Sequence, residues 1–246
     1  MRMCEKCGSP KEHLVMFGGK SFLMPQLCDC EAEKRKKEEY EFKHRNKVRE
    51  LSVACFYPTY LVNQTFDVDD GSNEELTKIA KTFVDEYSEH RKNGTGLLFF
   101  GECDVGKSFT CACIANALIE KEIPVRMTNF VAIANAVQGW DAKEEYINHL
   151  LTFQVLIIDD LWAERHTEYM KELVYEVVNL WVNTGKPLIV TTNLTAEQLK
   201  KPKDITENRI FSRIFEKCIP FEVKGTHHRN KICVENKARF MENLKW

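Results

Sequence analysis

The chain has 246 residues, which is room for one large α/β domain and a small appendage but not for several domains of ordinary size. Hydrophobic residues make up 43% and charged residues 29%, which excludes a disordered or fibrous chain. The net charge of −2 does not mark a nucleic-acid binder, yet 12 Lys/Arg face 7 Asp/Glu between Glu197 and Trp246. A local basic surface of that kind can bind phosphates although the overall charge is near zero.

The first residues, Met1 to Cys7, run into charges with no apolar h-region. The longest apolar runs, such as Leu97–Phe100 and Val155–Ile158, are strand-sized and far short of a membrane span. A cytoplasmic protein with no membrane contact is expected. In a reducing compartment, ten cysteines do not form a disulfide framework. Cys55, Cys103, Cys111, Cys113, Cys218 and Cys233 are scattered and read as small apolar packing residues.

The other four cysteines cluster in residues 1–30, where Cys4-x-x-Cys7 is followed after 20 residues by Cys28-x-Cys30. Four paired thiolates, with Gly8 after the first pair, suit a tetrahedral structural Zn²⁺. Metal would explain how some 30 residues fold without a real core. The single residue inside the second pair is less typical. A redox pair and simple reduced thiols are the alternatives. Residues 31–50 carry eight basic and six acidic residues, the composition of an exposed helix with mixed charge pairs or of a solvated linker.

From about residue 60 the pattern becomes α/β. A helix is predicted over Asn73–Lys92 with Ser72 as N-cap. A buried strand follows at Gly96–Phe100, then a helix at Lys107–Lys121. Further strands are predicted at Pro124–Thr128, Val155–Ile158, Leu188–Thr192 and Ile219–Val223. Glu168–Asn183 reads as a helix broken by Gly185-Lys186-Pro187. Strands alternating with helices imply a parallel sheet covered on both faces. The division expected is a zinc module at 1–30, a charged helical linker at 31–59 and an α/β domain at 60–246.

Gly101-Glu102-Cys103-Asp104-Val105-Gly106-Lys107-Ser108 fits the phosphate-loop pattern, with a strand before it and a helix opening at Lys107 and running through Phe109. Glycines let the backbone fold around phosphates, and the helix N-terminus supplies positive potential. Lys107 reaches the β/γ-phosphates of ATP and Ser108 binds Mg²⁺. Asp104 stands where many such loops carry glycine, a position that Asp tolerates better than most residues. Val155–Ile158 delivers Asp159 and Asp160 at a strand's C-terminal end, where ligands bind in open α/β sheets. Asp159 is the candidate for the Mg²⁺ sphere and Asp160 for the general base. Asn193, at the tip of Leu188–Thr192, is placed to orient the lytic water or sense the γ-phosphate. Arg209 and Arg213 lie i, i+4 on a predicted helix, and Arg229 follows Gly225-Thr226-His227-His228. An arginine that reaches a γ-phosphate stabilises transition-state charge, whereas the plain reading of each is a solvated surface charge.

Taken together, Gly101–Thr110, Cys113–Ile119, Leu156–Leu161, Glu164–Tyr169, Pro187–Leu194 and Arg209–Cys218 resemble the DnaC/DnaI-type helicase loaders, more narrowly their phage and prophage versions from Firmicutes. These are AAA+ ATPases, similar to the IstB transposition helpers. The resemblance spans roughly residues 60–235 and implies a RecA-like AAA+ core with a five-stranded parallel sheet. It implies a Walker A motif at 101–108, a Walker B motif at 155–160 and sensor 1 at Asn193. It also implies that Arg213 is an arginine finger acting in trans within a homo-oligomer, and that Arg229 is sensor 2. The implied activity is ATP-dependent loading of a hexameric DnaB-type helicase onto single-stranded DNA, with slow hydrolysis. The N-terminal region would hold the helicase. Asp104 and Trp162 depart from the family pattern, each replacing a glycine. An IstB-type transposition ATPase and a nucleotide-insensitive adaptor are the rival functions.

Overall fold

The computed structural model describes residues 1–56, 59–137, 140–161, 167–225, 237 and 240–241, without the side chains of 59–60 and 140–142. It separates into two units, Met1–Arg49 and Glu50–Trp246. In the first, β1 (Glu12–Phe17) pairs antiparallel with β2 (Lys20–Pro25) across Gly18 and Gly19. Both glycines have positive φ, +59° and +75°, as a tight hairpin turn demands. The sequence reading assigns this segment no element. Leu14, Met16, Phe17 and Leu23 are exposed, so the hairpin builds no core of its own.

The charged segment predicted at 31–50 is helical and longer than expected, forming α1 (Asp29–Cys55). Asp29 and Glu31 favour its N-terminus. Its surface carries i, i+4 pairs, Lys34–Glu38, Lys37–Glu41 and Glu39–Lys43. Residue 30, the expected end of the zinc module, lies inside its first turn. Only Leu51 and Cys55, near its end, are buried.

The predicted helix over 73–92 is two helices, α2 (Glu74–Asp85) and α3 (Tyr87–Asn93). Asn73, not Ser72, caps the first, its Oδ1 accepting from the Leu76 amide at 3.1 Å. The chain leaves the helical region at Glu86. The break frees the Val84 carbonyl, which accepts a hydrogen bond from Lys121 at 2.8 Å, and His90 stacks on Phe83 with centroids 4.5 Å apart.

Then come β3 (Gly96–Phe100), α4 (Lys107–Glu120), β4 (Val125–Asn129), α5 (Phe130–Ala136), α6 (Trp140–Leu151), β5 (Val155–Asp159) and α7 (Glu168–Asn183). The chain continues with β6 (Leu188–Thr192), α8 (Ala196–Lys200), α9 (Ile205–Lys217) and β7 (Cys218–Glu222). β4 and β7 each begin and end one residue away from expectation, while α5 and α6 had no counterpart in it. The five strands β3–β7 are all parallel, in the order β4-β5-β6-β3-β7. This is the five-stranded α/β sheet that the alternating pattern predicts.

Alternation along the strands sends successive side chains to opposite faces. Leu98, Leu156, Ile158 and Val190 pack with α5, α7 and α9. α4 covers the other face and is itself backed by α2. Cys55, Cys111, Cys113 and Cys218 are buried as the packing reading expects, and burial pushes the Cys55 and Cys113 thiols up to about 12. Cys103 is exposed instead, because it stands in the loop after β3, and Cys233 lies outside the described residues.

A polar knot joins α7 to α9. The Lys171 ammonium, only 10% exposed, meets Asp204, Glu168 at 2.9 Å and Glu207 at 3.6 Å. These carboxylates hold its pKa above the ordinary lysine value, the Asp204 hydrogen bond most of all. Thr206 donates to Glu172 at 2.8 Å, and the Arg209 guanidinium lies 3.9 Å from the Tyr175 ring centroid. Among the described residues no helix is long and apolar enough to cross a membrane.

Trp181 is the largest fully buried side chain among the described residues, and its indole N–H donates to the Pro187 carbonyl at 3.1 Å. Trp181→Ala should lower stability by about 3–5 kcal/mol. At roughly 2–4 °C of Tm per kcal/mol, thermal unfolding followed by circular dichroism will show a fall of about 6–20 °C. A fall under about 2 °C would mean that α7 does not rest on this residue.

Candidate functional site

A cleft of about 430 Å³ opens at the C-terminal ends of β3, β5 and β6. That is within the usual range for small-molecule sites. β3 hands the chain to a loop that doubles back into α4. Gly101 needs to be glycine there: its φ is +129°, and a Cβ on it would lie only 2.5 Å from the Val223 carbonyl oxygen. Gly106 has φ +94° and caps α4. Asp104 takes φ +70°, the left-handed geometry that Asp accepts at lower cost than most residues. The substitution of Asp at this position is therefore compatible with the turn.

Lys107 is 6% exposed, and its ammonium donates to the carbonyls of Gly101, at 3.0 Å, and Glu102. Burial holds its pKa below the ordinary lysine value, opposed by the charges of Cys103, Asp160 and Asp159. Cys103, Asp104, Val105, Gly106, Lys107, Ser108 and Phe109 all line the cleft, whereas Gly101 and Glu102 form the loop behind it. Asp160 and Asn193 line it from the opposite side, the Asn193 amide donating to Asp160 Oδ1 at 2.7 Å. Asp159 ends β5 one residue earlier, and Asp160 has φ +55°. Arg213 is on α9 and not among the residues lining the cleft; it donates to Glu216 at 2.8 Å. Arg229 and Trp162 lie outside the described residues.

Two residues lining the cleft, Thr191 and Asn73, and one behind it, Asn116, escaped the sequence reading of function. Thr191 bridges the two aspartates, its hydroxyl donating to Asp159 Oδ1 at 2.6 Å and accepting from the Asp160 amide at 2.8 Å. Asn73 caps α2 and donates to the Lys224 carbonyl at 3.0 Å. Asn116, buried in α4, donates to the Gln64 carbonyl at 2.7 Å and holds the segment that forms the cleft's outer wall. A polar residue within an apolar helix was the available signal for Asn116. Thr191 reads as an ordinary strand residue and gives none.

The donor set suits a nucleotide with a divalent cation. Among the described lining residues stand Asp69, Asp70, Asp104 and Asp160 against the one lysine, Lys107. These carboxylates oppose a bare polyphosphate, so a divalent cation would strengthen its binding. Of the two residues expected to bind Mg²⁺, Ser108 lines the cleft, whereas Asp159 is not among its lining residues.

In the first unit the Sγ atoms of Cys4, Cys7, Cys28 and Cys30 lie within 4.8 Å of one another. Cys4–Cys30 is 3.8 Å and Cys28–Cys30 is 3.4 Å, too long for disulfides. Tetrahedral zinc with bonds of about 2.3 Å sets sulfurs about 3.8 Å apart, so the cluster fits the ion. Hydrogen bonds, first that to the Ser9 hydroxyl 3.0 Å away, lower the Cys7 thiol to about 6, whereas burial pushes Cys28 up to about 12.

The profile described as the bacterial DnaA ATPase domain matches residues 62–217. The replicative helicase loader DnaI of Bacillus subtilis is 28% identical over 203 residues, covering 76% of this chain and 65% of that protein. The replicative helicase loader DnaC of Escherichia coli K12 is 23% identical over 163 residues, covering 64% of this chain and 63% of that one. The chain thus spans just under two thirds of the length of these relatives. A crystal structure of DnaI superposes with a TM-score of 0.57 at 22% identity, covering 69% of this chain and 96% of that one. With that profile matching well more than half its length, the chain belongs to the bacterial DnaA ATPase-domain family of AAA+ proteins.

Proposed function

We propose that this protein binds and slowly hydrolyses ATP in order to load a hexameric DnaB-type replicative helicase onto single-stranded DNA. The observation that carries the ATP reading is that Lys107, Ser108, Asp160 and Asn193, from three separate segments, line one cleft. The similarity to DnaI and DnaC, both named replicative helicase loaders, supports the helicase as partner.

The loop amides of 101–108 and the N-terminus of α4 bind the phosphates. Lys107 turns from the loop carbonyls to the β/γ-phosphates. Mg²⁺, when bound, neutralises phosphate charge. Asp160 accepts a proton from the attacking water, and Asn193 holds that carboxylate and the water in line. Arg213, and Arg229 as sensor 2, supply positive charge to the γ-phosphate, Arg213 from a neighbouring copy. Cys4, Cys7, Cys28 and Cys30 would hold Zn²⁺, which would brace the hairpin between the two cysteine pairs, and this module grips the helicase. Basic residues such as Lys200, Lys201 and Lys203, exposed at the end of α8, favour contact with the DNA backbone.

The test is capture of a hexameric DnaB-type helicase by the full chain, with and without ATP. Capture that depends on ATP is expected, and failure to bind any such helicase overturns the reading. Lys107→Ala should abolish ATP binding, measured by fluorescence titration. Asp160→Asn should still bind ATP while kcat falls about 100- to 10,000-fold.

Arg213→Ala should bind ATP like the wild type and lose hydrolysis in the assembled state. Mixing it with Asp160→Asn should restore part of the activity, because some interfaces then pair an intact finger with an intact acid. No recovery at any ratio would count against a shared site.

The purified protein should carry about one zinc per chain by elemental analysis. Cys4→Ser with Cys7→Ser should remove it and expose residues 1–30 to proteolysis first. ATP binding should survive, and helicase capture should not. Zinc that persists in the double variant would rule out this ligand set.

A further inference from the structure

β6 is an apolar strand, yet it ends in Thr191 and Thr192, which are 1% and 0% exposed. Valine has the shape of threonine and suits a strand equally, so a buried hydroxyl here calls for a partner. Thr192 donates its hydroxyl to the Leu161 carbonyl at 2.6 Å. Thr191 directs its own to the two acids. Its single proton goes to Asp159 Oδ1 at 2.6 Å, and its lone pairs receive the Asp160 amide at 2.8 Å. One oxygen of Asp159 is thereby engaged and the carboxylate's orientation is set. The same hydroxyl anchors Asp160 in the left-handed backbone region, at φ +55°, which is uncommon outside glycine although Asp accepts it at lower cost than most residues. The Thr191 backbone carbonyl accepts the Leu161 amide at 2.8 Å, which closes the turn on the far side.

We propose that Thr191 is a positioning residue for the ATP chemistry, acting through Asp159 and Asp160. This rests on the reading of the cleft as an ATP site. The hydroxyl aims the carboxylate that would hold the cation and fixes the backbone that presents the general base. With Asn193 on Asp160, the tip of β6 clasps both acids, one side chain to each. Loss of a residue that orients a metal ligand characteristically costs about 10- to 100-fold in metal affinity or activity.

The experiment compares full-length wild type, Thr191→Val and Thr191→Ser. A fluorescent ATP analogue is titrated with and without Mg²⁺, kcat and KM are measured for ATP, and thermal unfolding checks the fold. Thr191→Val should bind the analogue without Mg²⁺ within about twofold of wild type. It should need about 10-fold more Mg²⁺ for half-maximal tightening and lose about 10- to 100-fold in kcat with little change in KM. Thr191→Ser, which keeps the hydroxyl, should recover most of both. In an Asp159→Asn background, Thr191→Val should add under about twofold to the Mg²⁺ requirement, because the partner is already gone. If Thr191→Val does not fold, Thr191→Ala replaces it in each comparison. Wild-type Mg²⁺ dependence and kcat in the variant lacking the hydroxyl overturn the role of Thr191 alone, as does a serine variant equally impaired. A wild-type chain that binds no ATP overturns the reading of the cleft and this role with it.

Discussion

α4 is buried along almost its whole length, from Lys107 and Thr110 through Ile114 to Ile119, and this burial constrains everything around it. A helix with no solvent-facing stripe must be enclosed. Here the sheet lies on one side, α2 on another, and the segment held by Asn116 on a third. Its first N–H groups cannot be satisfied by that apolar packing. They face the loop after β3, so the demand of the helix end and the demand of a bound phosphate coincide. The close approach of Gly101 to Val223 serves the same enclosure, bringing the segment after β7 against the loop.

Opposite the loop, two neighbouring strands have interlocked ends. β5 supplies the acids and β6 the hydrogen bonds that hold them. The left-handed turn at Asp160 is offset by this interlock, since the Asp160 and Leu161 amides both bond to Thr191. Strain of this kind persists only where the surroundings over-determine it. The acidic balance of the cleft favours an anion accompanied by a cation over a bare one.

How much of this was legible depended on punctuation in the chain. α7 and β6 were read to the residue because Thr167 caps the helix, Gly185-Lys186-Pro187 ends it, and the strand is wholly apolar until its last two positions. The break at Glu86 carries no Gly or Pro, and its compensation comes from Lys121, far along the chain. The hairpin did have a signal in Gly18-Gly19, but its exposed Leu, Met and Phe obscure the alternation that marks a strand. The loop, the aspartates and Asn193 were legible because their chemistry dictates residue type and spacing. Thr191 and Asn73 were not, because each works through a contact that only the folded chain brings together.

The knot around Lys171 has a consequence for any movement of Arg213. Its charge, shared among carboxylates from both α7 and α9, resists separation of the two helices, since an uncompensated ion in that position would be costly. Thr206 on Glu172 and Arg209 on Tyr175 add further ties along the same seam. α9 is therefore tied to α7, and α7 is anchored in turn through Trp181 to the Pro187 carbonyl just before β6. Arg213 and the strand whose tip grips the acids thus stand at the two ends of one unbroken run of packed elements.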